Sequence, residues 1–107
     1  MSNLDFTISC TLTFFSKKIT KLPNLNNGKY CPHLVVKGSE QLLGVNFIDG
    51  EDSIFDKPIP ANALPVNEDI DYSVLQVGSE FLIVEGSAIV GEGLVKEIFQ
   101  HKPYGRK

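Results

Sequence analysis

No apolar run in this chain comes near the ~20 residues that cross a bilayer as a helix, so no membrane association is expected. The start, Met1-Ser2-Asn3-Leu4-Asp5, lacks both the charged region and the apolar stretch of a secretory signal. Cysteine is scarce. Cys10 and Cys31 stand in strand-like apolar settings without CxxC spacing, which reads as reduced core thiols and a cytoplasmic location. A basic excess is also lacking: the formal charge is -3, a poor electrostatic footprint for DNA or RNA. The one basic cluster is the tail from His101 to Lys107, which reads first as a solvated terminus.

Sites with recognisable chemistry are missing too. There is no Walker A sequence to hold a nucleotide phosphate. Gly91-Glu92-Gly93 resembles half of a dinucleotide loop but sits inside a strand pattern, where glycines let a strand bend or another backbone approach. His33 and His101 are the only histidines. Cys31 and His33 share one face of a strand, yet a pair falls short of a metal ligand set. Asp49, Glu51, Asp52 and Asp56 lack the spacing of a calcium loop and read as a solvated turn. No nucleophile has a base beside it. The expectation is a protein without catalytic residues, metal or cofactor.

What the 107 residues do contain is one domain's worth of alternating sequence, with 42% hydrophobic content. Phe6, Ile8, Cys10, Leu12 and Phe14 fall on one face of a long strand, with Thr7, Ser9, Thr11 and Thr13 on the other. Residues 16–29 hold Pro23, three asparagines and Gly28, and read as a long loop. A second strand is expected over His33–Lys37 and a third over Leu43–Phe47. Pro58 and Pro60 speak against ladder positions in their neighbourhood. Ala61–Val66 and Ile70–Val77 read as extended, Phe81–Glu85 as a strand, Gly86-Ser87 as a tight turn, and Ile89–Phe99 as the closing strand. Short strands with frequent turns and no amphipathic helix point to an all-β barrel or sandwich.

The closing segment, Phe81 to Val95, follows F-x-I-x-E-G-x-x-x-V-G-x-G-x-V at every fixed position, with Gly78 ahead of it. In this it resembles the C-terminal (third) β-barrel domain of translation elongation factor Tu. Upstream, Phe6–Phe14, Gly28, Pro32 and Gly44-Val45 are similar to that family more loosely, whereas residues 49–71 depart from it. The resemblance implies a six-stranded antiparallel Greek-key barrel spanning 1–107, standing without a GTPase domain.

It also implies a non-catalytic domain that binds proteins and touches aminoacyl-tRNA. Glu85 and Gly86 match the family's tRNA-contacting hairpin, and Lys21 stands for a basic residue of the long loop. Other contact positions differ, with His33 in place of a glutamine and Asp71 near the place of a lysine. A further departure lies in the strand before the Glu-Gly turn. The family places Ala and Arg on its outer side; here Leu82 and Val84 stand there, and Ile89 extends the stripe across the hairpin. A single-layer barrel facing water does not favour such a surface. Either a terminal segment covers it, or it is a protein-binding surface or self-association seam. Two functional readings follow: a protein-docking module, directed at the translation machinery or acting as a decoy or immunity-type protein, or an RNA-binding accessory protein.

Overall fold

The computed structural model describes residues 6–67 and 69–101. They form six strands: β1 (Phe6–Phe14), β2 (His33–Val36), β3 (Leu43–Gly50), β4 (Ile59–Pro65), β5 (Glu80–Glu85) and β6 (Ala88–Gln100). The strands close in the order β1-β4-β3-β2-β5-β6, and every ladder is antiparallel. β2, β3 and β4 follow one another as neighbours, while residues 15–32 carry the chain from β1, beside β4, to the far side of that trio. This is the Greek-key connection. The expected all-β six-stranded barrel is the fold found.

Alternation builds the wall. Along β1, each of Phe6, Ile8, Cys10, Leu12 and Phe14 is buried, and the residues between them are partly exposed. Phe47, Phe81, Leu34, Val45 and Ile83 complete the interior from the other strands. A barrel this small has room for large side chains only where the opposing wall recedes. β6 recedes at Gly93, whose register partner is Phe81. A Cβ at Gly93 would lie 2.6 Å from the Thr11 carbonyl oxygen and closer still to the Phe81 ring. The phenylalanine thus fills the space that glycine leaves.

Loops seal the two ends. The crossover buries Leu25 and packs Tyr30 against Phe47, with ring centroids 5.9 Å apart. Between β3 and β4, Asp56 adopts φ 64, a left-handed conformation that aspartate tolerates better than most residues. Its N–H donates to the Phe14 carbonyl at 2.8 Å and its carboxylate accepts the Ser16 N–H at 3.1 Å. At the other end, Tyr72 and Leu75 are buried, and the Tyr72 hydroxyl donates to the Gly44 carbonyl at 2.5 Å.

Several expectations need correction. Residues 70–77 are not extended but form successive turns, because the Asp71 carboxylate accepts the Ser73 N–H and Gly78 (φ 92) ends the segment. Pro60 does occupy a ladder position, opposite Thr11 as the second residue of β4. Near a strand end a missing donor is tolerated. β3 runs on to Gly50, past the expected Phe47. Cys31 is exposed, so only Cys10 is a core thiol.

Candidate functional site

β2 and β5 lie side by side, and their inward residues, Leu34, Phe81 and Ile83, are fully buried. The residues between them therefore face outward. Register places Val35 beside Leu82 and His33 beside Val84. On one flank His33 pairs with Gly44 of β3; on the other Val84 pairs with Ile89 of β6. Beyond Gly44, the Val66 N–H donates to the Gly44 carbonyl at 3.2 Å. A transverse row thus runs Val66, Gly44, His33, Val84, Ile89 across the outer wall. Charged residues are missing from it.

The relief of this row is uneven. At Gly44 the row is already tight: the residue is buried, and a Cβ there would meet Val66 Cγ2 at 3.3 Å and the His33 ring at 3.8 Å. Val66 and Ile89 stand up at the two ends, 50% and 40% exposed. Val84 is only 8% exposed, although it lies outside the interior cluster. Its ladder partners on the two sides are His33 and Ile89. A register shift between Ile83 and Val84 lets Val90 drop into the core and leaves Ile89 on the surface beside Val84.

Beyond Leu82 the wall turns polar. The Lys37 ammonium sits 3.1 Å from a Glu80 carboxylate oxygen and 3.7 Å from one of Glu92. The hydrogen bond and charge of Glu80, with a smaller part from Glu92, raise the lysine pKa. These groups rim an open groove of about 300 Å³ that Thr11 and Thr13 also line.

Of the residues singled out in the sequence, Leu82, Val84 and Ile89 come together on this face. Val66, Gly44 and Val35 join them, and no sequence signal marks these three, since register alone brings them alongside. Residues 1–5 and 102–107, the terminal segments considered as a cover for the stripe, lie outside the described residues, as does most of the basic tail.

Lys21, Glu85 and Gly86 are placed differently. Lys21 is exposed in the crossover, and Gly86 (φ 60) takes the first turn position of the β5–β6 hairpin, where its missing side chain matters. Glu85 is partly buried, and its carboxylate accepts the Tyr30 hydroxyl at 2.5 Å. Burial, then the hydrogen bond and charge of Glu85, push the tyrosine pKa well above its ordinary value. Among the described residues no hydrogen bond or ion pair joins Lys21 to Glu85 or Gly86.

The remaining chemical groups stay apart. Burial pushes the Cys10 thiol up to about 12, which leaves it protonated and a poor nucleophile. Among the described residues, no three His, Cys, Asp or Glu side chains gather as a metal site.

The chain matches no protein-family model, no curated protein and no solved structure.

Proposed function

We propose that this protein is a non-catalytic docking module that holds a protein partner against the outer wall of β2 and β5. One observation carries the reading: the uncharged row Val66–Gly44–His33–Val84–Ile89, with Val35 and Leu82 alongside, on the outer side of the β2–β5 ladder, its two ends Val66 and Ile89 exposed. Apolar side chains collected in one patch are the usual core of a protein contact, and a rim such as Lys37, Glu80 and Glu92 sets orientation. The hairpin motif shared with elongation factor Tu supports a partner within the translation machinery, or a decoy or immunity-type role toward something that recognises that factor. The test is affinity capture from nuclease-treated cytoplasm with wild type and with Ile89→Asp. Partners retained by wild type and lost with Ile89→Asp are expected. Identical captures would end this reading.

A second reading, RNA binding, draws on a separate feature. Lys17, Lys18, Lys21 and Lys29 are all exposed on the crossover, whose ends meet the β5–β6 hairpin through the Phe15 N–H to Val90 carbonyl bond and the Tyr30–Glu85 bond. The Glu85 carboxylate is already engaged, which disfavours it as a nucleic-acid contact. A tRNA gel shift at low salt, weakened by Lys21→Glu and by added salt, would restore this reading.

A further inference from the structure

The crossover between β1 and β2 carries three asparagines, and the fold uses them differently. Asn26 is committed to the wall: its Nδ2 donates to the Gly50 carbonyl at 2.8 Å, and its Oδ1 accepts the Gly50 N–H at 3.1 Å. Asn24 and Asn27 instead fold their side chains onto the backbone that follows them. Asn24 Oδ1 accepts the Asn26 N–H at 2.8 Å, and Asn27 Oδ1 accepts the Lys29 N–H at 3.0 Å. Each is an Asx turn, with the side-chain carbonyl turned back over the next peptide.

The two turns differ in the residue they enclose. Asn24 is followed by Leu25, whose side chain is buried in the core. Asn27 is followed by Gly28, which is exposed, has φ 71 and would have nothing within 4 Å of an added Cβ. Among the described residues the Gly28 N–H makes no hydrogen bond. Its nitrogen is thus free and unshielded, beside the amide that the turn folds toward it. The Lys29 N–H that holds Asn27 Oδ1 also stands where negative charge develops if the amide carbon is attacked, as the donor of an oxyanion site does. Ring closure between adjacent groups has the advantage of any pre-positioned intramolecular reaction.

We infer that Asn27 is a site of spontaneous covalent modification, its amide passing through a succinimide to aspartate and isoaspartate. The Gly28 nitrogen gives its proton to a solvent base and attacks Asn27 Cγ. The N–Cγ bond forms, the Cγ–Nδ2 bond breaks, and ammonia leaves after taking up a proton from solvent. Water then opens the ring: addition at Cγ yields aspartate, and addition at the main-chain carbonyl yields isoaspartate. No oxidant or reductant takes part. Either product places a new carboxylate two residues from Lys29. Isoaspartate also inserts a methylene into the main chain between two anchored residues, Asn26 on Gly50 and Tyr30 on Glu85. The chemistry lies on the crossover and is independent of the β2–β5 wall.

The test is incubation of the folded protein in neutral and mildly alkaline buffers, with wild type, Asn24→Gln and Asn27→Gln, followed by peptide mapping with mass spectrometry. Isoaspartate is the diagnostic product, because direct hydrolysis of the amide yields aspartate alone. Wild type and Asn24→Gln are expected to accumulate isoaspartate at position 27, faster at the higher pH and ahead of every other asparagine. Asn27→Gln should lose that signal, since glutamine must close a six-membered ring. Parallel samples unfolded in urea separate the contribution of the turn from that of the Asn-Gly pair alone. The native rate at Asn27 is expected to match or exceed the rate in urea. A native rate below it would show that the turn withholds the amide, and would overturn the inference. Aspartate without isoaspartate, or earlier modification at Asn24 or Asn26, would overturn it too.

Discussion

Single side chains set the interior of this barrel, and the clearest case is Gly93. Its hydrogen faces the Phe81 ring and the Thr11 carbonyl, so even alanine must displace one of them. Gly93→Ala should cost about 1–3 kcal/mol, the range for overpacking a tight core, measured by chemical denaturation. Tyr30 is a second case, because its hydroxyl is the partner in hand for the partly buried Glu85 carboxylate. Tyr30→Phe should lower stability by about 1–2 kcal/mol at neutral pH through the lost charge-assisted bond. The tyrosine pKa is raised in the folded state, so its contribution is fully present below the ordinary tyrosine value of about 10. It is lost as pH climbs above that value, because the unfolded chain then releases the proton more readily. Alkaline melting curves of wild type should therefore fall more steeply than those of Tyr30→Phe.

Elements show how loops are pinned to the wall. Asp56 joins the β3–β4 loop to the start of the crossover, and its pKa is lowered first by hydrogen bonding from Ser16. A lowered carboxyl pKa contributes stability above the ordinary aspartate range, lost as pH falls through the folded value. The melting temperature should decline on acidification, less steeply in Asp56→Asn, with the two proteins converging at low pH. The strands themselves were largely legible in the sequence. Alternation in β1 and the Glu85-Gly86-Ser87 turn before β6 need only local chemistry. Residues 70–77 read as extended because Ile70, Tyr72 and Val74 imitate the alternation of a strand. In the fold Tyr72 and Leu75 turn inward to plug the barrel end, a tertiary demand that propensity does not carry. Cys31 was misplaced for a similar reason: it lies just outside β2, where apolar neighbours in sequence are not neighbours in space.

At the scale of the whole molecule, the outer wall is the feature that the interior does not explain. Leu82 and Val84 were readable as an anomalous apolar side of β5. That this side continues through His33 and Gly44 to Val66 was not, because closure of the barrel and the register between β2, β3 and β5 decide it. Val84 also shows what sequence leaves out. It faces outward yet is 8% exposed, so substituting it would disturb the wall itself, whereas Ile89 offers a probe of the surface with little cost to the fold. The charge distribution points the same way: the chain carries a net -3, and Glu85 is committed to Tyr30. This arrangement favours the proposed protein contact on the β2–β5 face over the alternative of a nucleic-acid contact on the crossover. The most direct test compares Ile89→Asp with Lys21→Glu in parallel capture experiments, with and without nuclease. Loss of nuclease-resistant partners with Ile89→Asp, and their retention with Lys21→Glu, is the expected result. Partners that survive Ile89→Asp but vanish with Lys21→Glu or with nuclease would contradict it.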